Sequence, residues 1–268
     1  MDQPRALRGQ TALITGASGG IGYELAVILA QEGFHLVLVA RDQEKLSHLA
    51  RNLQQNYGIT ATVIPKDLGE ATSPDEIARE LEGSAIRVDM LINNAGFGSH
   101  GPFAEADLSG QLAMIQVNVQ ALTHLTRLFL PGMIKQHSGK ILNVASTAAF
   151  QPGPFMAVYY ATKAYVLSFS EALANELQGT GVTATTLCPG PTATGFQQRA
   201  GVGQTKLMQG RIADAKSVAL AGYHAMMQGK TLVIPGFRNR LIAFAVRFMP
   251  RKFVASAVRG IQEAREKQ

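Results

Sequence analysis

The chain has 268 residues, 46% hydrophobic and 16% charged, which is typical of a folded globular protein and excludes a disordered one. A single cysteine, Cys188, excludes an intrachain disulfide and a cysteine-based zinc site, and the six histidines show no paired spacing, so we expect no metal. The net charge of +6 is uneven, because residues 230–268 carry nine Lys/Arg against two Glu, leaving −1 for the first 229 residues. A nearly neutral body argues against nucleic-acid binding.

The sequence shows no targeting or membrane-spanning segment. Residues 1–9 carry charges but lack the apolar core of a secretory signal. No stretch approaches the roughly 18 consecutive apolar residues that a membrane span needs. We therefore expect a soluble, cytoplasmic protein, and the lone cysteine fits a reducing compartment.

Short apolar runs alternate along the chain with segments of helical spacing. The predicted strands are 11–15, 36–40, 60–64, 88–92, 140–145, 182–187 and 231–234. One helical pattern has Leu108, Leu112, Ile115, Val119 and Leu122 on one face of a long helix, about 108–136. Continuous apolar strands alternating with helices indicate an α/β fold: a doubly wound, seven-stranded parallel sheet of the Rossmann type with helices on both faces. Ligands of such folds bind beyond the carboxyl ends of the strands.

The first predicted strand leads into a glycine-rich turn, and a helix begins directly after it. The turn reads Thr15-Gly16-Ala17-Ser18-Gly19-Gly20-Ile21-Gly22. Glycines allow the tight turn and let backbone N–H groups at the helix N-terminus approach a pyrophosphate. A purely steric glycine turn is the alternative, and Gly19 makes two glycine spacings readable at once. The strand-before, helix-after context favours a nucleotide.

Arg41 follows the second predicted strand, about 20 residues beyond the glycine turn, where NAD-binding proteins often place an acidic residue. Here Ala40 ends the strand and Asp42 comes one position later. An arginine can meet the 2′-phosphate of NADP, whereas the alternative is a solvated surface arginine. The sequence therefore favours NADP(H) over NAD(H).

Three further groups of polar residues follow later strands. Residues 93–96, Asn-Asn-Ala-Gly, suit close approach to a ribose, although an ordinary turn has the same composition. Ser146 follows the fifth predicted strand, and Tyr159 and Lys163 are four residues apart on one face of a helix. A nearby ammonium lowers the pKa of a phenol, which is otherwise near ~10. An amphipathic surface pair is the alternative for these two residues.

Together, the glycine turn, residues 93–96, Asn118, Ser146 and the Tyr159/Lys163 pair resemble the short-chain dehydrogenase/reductase family, in its compact single-domain branch. Order and spacing agree, including the 13 positions from Ser146 to Tyr159. The resemblance runs from about residue 9 to residue 235. Tyr159 rather than Tyr160 matches the family's tyrosine, because only Tyr159 lies four residues before Lys163.

The resemblance implies an NADP(H)-dependent oxidoreductase that interconverts a ketone or aldehyde and an alcohol by hydride transfer. Tyr159 would be the acid and base, Ser146 would hydrogen-bond the substrate oxygen, and Lys163 would lower the tyrosine pKa and bond the nicotinamide ribose. Asn118 would hold a water that links Lys163 to solvent. The implied cofactor contacts are Gly16, Ser18, Gly20, Ile21, Gly22, Arg41, Asp67, Leu68, Asn94, Ala95, Gly96, Tyr159, Lys163, Pro189, Gly190, Thr192 and Thr194. Of these, Asp67 and Leu68 would contact the adenine, and residues 189–192 with Thr194 would form the segment under the nicotinamide.

Two alternatives differ in class from this enzyme. One is a non-catalytic dinucleotide-binding redox sensor on the same fold, and the other is an epimerase or dehydratase of the family's larger branch. The presence of all four implied catalytic residues favours an enzyme, and the chain has little room for a separate substrate domain. We interpret 1–268 as one dinucleotide-binding and catalytic domain that acts on a small-molecule carbonyl or alcohol.

Substrate and assembly are less well defined by the sequence. The resemblance implies that residues 194–211, after the sixth predicted strand, cover the substrate. Apolar side chains there and before Tyr159 favour an apolar ketone, acyl or steroid-like substrate, although they also suit simple lid and core packing: Phe155, Met156, Phe196, Val202, Leu207 and Met208. The resemblance implies a homodimer or homotetramer that pairs through two long helices, about 108–136 and 159–177.

Residues 236–268 form a basic, amphipathic helical extension, which reads as two helices divided by Pro250. One apolar stripe is Leu241, Phe244 and Phe248, and the other is Phe253, Val254, Ala257, Val258 and Ile261. Basic amphipathic helices can lie on anionic membranes. Packing on the protein's own body or on a second subunit is the favoured interpretation, since short amphipathic helices usually serve packing.

Overall fold

A computed structural model describes residues 9–201 and 212–263, and its centre is a seven-stranded parallel sheet. The strand order is β3-β2-β1-β4-β5-β6-β9. These strands are β1 (Thr11–Thr15), β2 (His35–Ala40), β3 (Ala61–Pro65), β4 (Met90–Asn93), β5 (Gly139–Val144), β6 (Val182–Leu187) and β9 (Leu232–Val233). The chain order reverses between β1 and β4, which creates a crevice at the carboxyl edge of the sheet. The predicted fold class is confirmed.

Helices cover both faces of the sheet. The described helices are α1 (Gly20–Gln31), α2 (Gln43–Tyr57), α3 (Ser73–Gly83), α4 (Leu108–Ile115), α5 (Leu122–Lys135), α6 (Ala157–Glu176), α7 (Phe196–Ala200), α8 (Ala215–Met227), α9 (Phe237–Ala245) and α10 (Arg251–Gln262). Side chains of α1, α2 and α8 pack on one face of the sheet in one apolar cluster. Side chains of α3, α5 and α6 pack on the other face in a second cluster. Because both faces are covered, most residues of the strands are buried, and they include polar ones such as Asn143, Thr185 and Thr186.

Polar residues fix where several helices begin. Asp42 accepts a hydrogen bond from the Lys45 N–H at the start of α2, and Asp214 does the same for Ser217 at the start of α8. Such capping oxygens satisfy N–H groups that have no partner within the helix. In contrast, no side chain caps the N-terminus of α1 within the described residues, so the glycine turn leaves its N–H groups available to a ligand.

The predicted long helix 108–136 is interrupted, and its predicted apolar face is wrong in the first half. A π-helical turn, Gln116–Ala121, separates α4 from α5. Leu108 and Leu112 are exposed, whereas Gln111 and Met114 are buried. A π-turn inserts one extra residue into a helix. Residues at regular α-helical spacing before and after the turn therefore lie on different faces. The turn also carries Asn118, which points inward and is buried.

A short two-stranded sheet and the C-terminal extension complete the fold. The small sheet pairs β7 (Thr192–Ala193) with β8 (Ala213–Asp214). In the extension, α9 continues through a 3₁₀ turn, Val246–Phe248, to Pro250, where α10 begins. Across 9–201 and 212–263, none of the helices combines the length and the apolar character required to cross a bilayer.

Candidate active site

The glycine turn after β1 is closely packed at three of its four glycines. Gly16 and Gly20 have left-handed backbone angles, φ +67° and +57°. A Cβ on Gly16 would lie 2.8 Å from Asn94 Nδ2, and one on Gly22 would overlap the Gly16 carbonyl oxygen. Gly19 has an extended φ of 179° and open space around it. The positions at which the structure requires glycine are therefore 16, 20 and 22.

The loop after β4 is tied to the glycine turn by hydrogen bonds. Asn94 Nδ2 donates to the carbonyl oxygens of Thr15 and Gly16, at 2.9 and 3.2 Å. The Thr15 hydroxyl accepts the backbone N–H groups of Asn94 and Ala95, both at 3.0 Å. Thr15 was not among the predicted site residues, because one hydroxyl that joins two loops leaves no pattern in the sequence.

The remaining predicted contacts of the adenosine half lie along the same edge. Ser18 and Ile21 are half-buried within the glycine turn, and Leu68 is buried against the sheet. Arg41 follows β2, and its Nη1 lies 3.7 Å from Asp67 Oδ2. With 70% of its side chain exposed, Arg41 is held only weakly by this ion pair.

Ser146 and Tyr159 approach each other at the carboxyl ends of β5 and β6. Ser146 begins a 3₁₀ turn, Thr147–Phe150, where its hydroxyl accepts the Ala148 N–H at 3.1 Å and faces the Pro189 carbonyl oxygen at 3.5 Å. Tyr159 is buried on the first turn of α6. Its ring packs against the Phe196 ring, with centroids 5.3 Å apart.

Lys163 and Asn118 lie next to the end of the β4 loop. Lys163 is 5% exposed, and its Nζ donates to the Val144 carbonyl oxygen at 2.8 Å. Asn118 Nδ2 donates to the Phe97 carbonyl oxygen, and its Oδ1 accepts the Phe97 N–H. A Cβ on Gly96 would lie 3.0 Å from Asn118 Oδ1 and 3.3 Å from Lys163 Nζ, so glycine is required for this close approach.

Burial controls the protonation of Tyr159 and Lys163. It raises the pKa of the Tyr159 phenol above its ordinary value, and a contact with Ser146 opposes this shift. It also lowers the pKa of Lys163 to about 8, because an ammonium loses hydration inside the protein. Lys163 Nζ lies 5.9 Å from the Tyr159 ring centroid and bonds Val144, so burial rather than the ammonium is the main influence on the pKa of Tyr159 in this arrangement.

The segment after β6 closes the site from the other side. Pro189 accepts the Thr147 N–H, and the Thr192 hydroxyl donates to the Gly190 carbonyl oxygen at 2.9 Å. Thr194 packs on the glycine turn, where a Cβ on Gly20 would lie 3.0 Å from Thr194 Cγ2. The predicted nicotinamide segment thus lies against the predicted pyrophosphate turn.

An apolar cluster surrounds the tyrosine. It includes Met156, Phe97 and Phe196, together with Val254 and Val258 from α10. Phe155, which also was predicted to face the substrate, is half-buried with a left-handed φ of 65°. The other residues of that prediction, Val202, Leu207 and Met208, lie outside the described residues.

Two further residues at the site, besides Thr15, were not predicted from the sequence. Thr162 receives a hydrogen bond from Asn118 Nδ2 at 3.1 Å and helps to orient it. Gln262, at the end of α10, is buried, and its Nε2 donates to the Tyr160 hydroxyl at 2.8 Å. No motif marks a glutamine 102 positions from its partner.

The family model for short chain dehydrogenases matches residues 10–204. The chain belongs to the short-chain dehydrogenase/reductase family. It is therefore an NAD(P)-dependent oxidoreductase that acts on CH–OH or C=O groups, which agrees with the enzyme interpretation of the sequence. At Gly16, Gly20 and Gly22 a side chain would overlap or crowd neighbouring atoms, and these glycines lie at the uncapped N-terminus of α1. This arrangement fits a bound dinucleotide.

Relatives and a solved structure support the same conclusion. The chain is 36% identical over 229 residues to the ketoacyl reductase HetN of Nostoc sp., covering 85% of this chain and 79% of that one. It is 39% identical over 180 residues to a very-long-chain 3-oxoacyl-CoA reductase of Phaeosphaeria nodorum, covering 65% of this chain and 52% of that one. A short-chain dehydrogenase from Sphingobium yanoikuyae, solved in complex with NADPH, is 32% identical with a TM-score of 0.80, covering 95% and 98% of the two chains.

Proposed function

We propose that this protein is an NADPH-dependent reductase of apolar ketones, with 3-oxoacyl thioesters as the favoured class. The observation that carries the proposal is the continuity of residues 94–96. At one end Asn94 packs against Gly16, and at the other Gly96 packs against Lys163. One short loop therefore joins the dinucleotide turn to the buried tyrosine–lysine pair.

Tyr159 is the proton donor of the proposed reaction. A bound nicotinamide would supply the hydride to the carbonyl carbon. A phenol has an ordinary pKa of ~10, and burial raises the pKa of Tyr159 further, so Tyr159 carries a proton at neutral pH that the far more basic developing alkoxide can accept. The Ser146 hydroxyl stabilises the same oxygen as its negative charge grows.

Lys163 and Asn118 support the tyrosine from behind. With a pKa of about 8, Lys163 can both donate and accept a proton near neutral pH. Asn118 is oriented by Phe97 and Thr162, and it lies beside the Gly96 backbone that Lys163 also approaches. This arrangement suits a proton path from the tyrosine toward solvent, with a water held at Asn118.

The environment of Tyr159 favours an apolar substrate. Phe97, Met156 and Phe196 belong with Tyr159 to one apolar cluster, and the Phe196 ring packs against the Tyr159 ring. Two relatives named above are a ketoacyl reductase and a very-long-chain 3-oxoacyl-CoA reductase, which supports an acyl chain as the apolar part.

Oxidation of NADPH with a panel of 3-oxoacyl thioesters of increasing chain length tests this function. Each buried methylene is worth about 0.8 kcal/mol, so kcat/KM should rise about three- to four-fold per methylene until the cleft is filled. A small hydrophilic ketone should react slowly. No turnover of any member, or the same kcat/KM along the whole series, would refute the substrate class.

Cofactor preference is expected to depend on Arg41. Its guanidinium is largely exposed and bound only by a 3.7 Å contact to Asp67, which leaves donors for a 2′-phosphate. A hydrogen bond to a charged group contributes about 1.5–3 kcal/mol, so Arg41→Ala should weaken NADPH about ten-fold or more while NADH changes little. Dissociation constants for both cofactors provide the measurement.

Arg51→Ala is the matched control, since Arg51 is another exposed arginine, on α2. It should leave both dissociation constants unchanged. Equal losses of NADPH and NADH affinity in Arg41→Ala would instead make Arg41 a surface residue without a role in cofactor choice.

We also propose that the subunits pair through α4, α5 and α6 as a homodimer or homotetramer. Leu108, Leu112, Ile134 and Tyr165 are exposed on these helices. Apolar side chains on a helix pair suit a two-fold interface. Sedimentation should show a dimer or tetramer that Leu112→Asp weakens, and a monomer at all concentrations would contradict the proposal.

A further inference from the structure

Helix α9 has its small side chains toward the protein and its large apolar ones toward solvent. Ala243 is buried, and Asn239 lies directly over Gly190, where a Cβ would come 2.6 Å from Asn239 Nδ2. In contrast, Phe237 is 75% and Phe244 59% exposed. This is the reverse of an ordinary surface helix, which buries its apolar face.

The exposed apolar surface continues beyond α9. Phe237, Leu241, Phe244 and Phe248 follow one another at helical spacing, and the Phe244 and Phe248 rings pack edge-to-face on each other, with centroids 5.1 Å apart. Of seventeen exposed large apolar residues in the described chain, eight lie within residues 237–261. We call the exposed surface of residues 237–261 the tail face. Such concentrated apolar exposure marks an interaction site.

The tail face is held in a fixed position by the inner side of α10. Val254 and Val258 are buried in the cluster around Tyr159. Gln262 donates to the Tyr160 hydroxyl, and its carbonyl oxygen is 2.8 Å from His100 Nε2. Because the inner side of α10 packs on the body of the protein, the tail face has a defined orientation relative to the active site.

The charges of the tail face have one sign. Residues 237–263 contain five arginines and one lysine, all exposed, namely Arg238, Arg240, Arg247, Arg251, Lys252 and Arg259. Glu263 is the one acidic residue in this stretch, and its Oε1 is 3.0 Å from Arg259 Nε. A two-fold contact between copies would bring these cations together, so charge opposes a second copy as the partner.

We propose that the tail face docks on the surface of an anionic lipid bilayer. The side chains of Phe237, Leu241, Phe244 and Phe248 enter the boundary between headgroups and acyl chains, and the flanking arginines bind lipid phosphates. Aromatic residues beside cations are typical of helices that lie in this interface. Large exposed phenylalanines favour lipid over a nucleic acid, whose phosphates alone would require only the arginines.

Docking places the bilayer beside the substrate cleft. Asn239 of α9 packs on Gly190, next to the predicted nicotinamide segment, and the Arg259 guanidinium lies over the Phe155 ring at 5.2 Å. An apolar carbonyl compound dissolved in the bilayer would then reach Tyr159 without crossing much water. This last step rests on the proposed function, whereas membrane binding itself does not.

The chain contains no tryptophan, so a single introduced one reports on its own surroundings. Phe244→Trp keeps a large aromatic side chain at the centre of the tail face. Its emission should move to shorter wavelength with vesicles of phosphatidylcholine and phosphatidylglycerol, and not with phosphatidylcholine alone. Tyr57→Trp is the control, because Tyr57 is also exposed but ends α2 next to β3, at the edge of the sheet opposite β9 and the extension.

Cosedimentation with the same vesicles gives the affinity. The full chain should bind at low salt and be released at high salt, and Arg240→Gln and Arg247→Gln should each weaken binding about five-fold. No cosedimentation, an equal shift of Tyr57→Trp, or equal binding to neutral vesicles would overturn the proposal. The proposal would also be overturned if the emission of Phe244→Trp moved to shorter wavelength with rising protein concentration in the absence of vesicles, because that result indicates self-association. No substrate or cofactor is needed, so failure here and failure of the carbonyl panel are separate results.

Discussion

Tyr159→Phe is expected to lose turnover by about 10²–10⁴-fold, the usual contribution of a general acid. The substitution deletes one hydroxyl and keeps the ring, which packs against Phe196. Burial raises the pKa of this phenol, so the parent enzyme holds the transferable proton at neutral pH. NADPH affinity and the melting temperature should stay close to those of the parent. Steady-state kinetics with the best carbonyl of the panel provide the measurement.

Tyr160→Phe is the matched control for this prediction. Tyr160 is the next residue and is also buried, but its hydroxyl accepts a hydrogen bond from Gln262 instead of facing Ser146. Losing one such bond costs about 1 kcal/mol, so we expect a small loss of stability and turnover within about ten-fold of the parent. If Tyr160→Phe abolished turnover and Tyr159→Phe did not, the assignment of the acid would be wrong.

The strands could be predicted closely because each is a short run of mostly apolar or β-branched residues. The segment 11–15 was predicted with the bounds that β1 has, and 182–187 with those of β6. Runs of this kind need no knowledge of their neighbours, since burial on both faces favours apolar and β-branched residues, and even Thr185 and Thr186 of β6 are buried. The order of the strands, in contrast, depends on crossovers that leave no local pattern.

Helix faces were harder to predict than strands. Leu108 and Leu112 are exposed although they belong to an apolar stripe, and Gln111 and Asn118 are buried. Periodicity predicts that apolar residues face the protein interior, but here the buried face of the helix includes a polar residue of the site, Asn118. The π-turn at Gln116–Ala121 then changes the helix phase, and no residue in it signals this beforehand.

The two helices of the extension, α9 and α10, also show that periodicity alone does not predict which apolar faces are buried. Both carry an apolar stripe and basic residues, so the sequence favours the same interpretation for both, packing on the body or on a second subunit, with membrane contact as the alternative. In the structure they differ: Val254 and Val258 of α10 pack on the body, whereas Leu241, Phe244 and Phe248 stay exposed. An amphipathic pattern shows that a helix has an apolar face, but only the tertiary contacts show whether that face is buried.

Gly22→Ala is expected to disrupt the dinucleotide turn. A Cβ at position 22 would overlap the Gly16 carbonyl oxygen and Asn94 Nδ2, so the turn and the β4 loop must move apart. Overpacking of this kind costs about 1–3 kcal/mol, which corresponds to about 5- to 150-fold weaker NADPH binding if the strain falls on the bound state. Titration calorimetry gives the affinity, and circular dichroism checks the fold.

Gly19→Ala separates a specific overlap from a general need for glycine in the turn. Gly19 lies between the same strand and helix, yet its φ of 179° is accessible to any residue, and no atom lies within 4 Å of the added Cβ. Its NADPH affinity should therefore stay within a few-fold of the parent. Equal losses in the two variants would mean that backbone flexibility, shared by both glycines, controls binding. An unchanged affinity in Gly22→Ala would mean that the contact between the turn and Asn94 does not shape the nucleotide site.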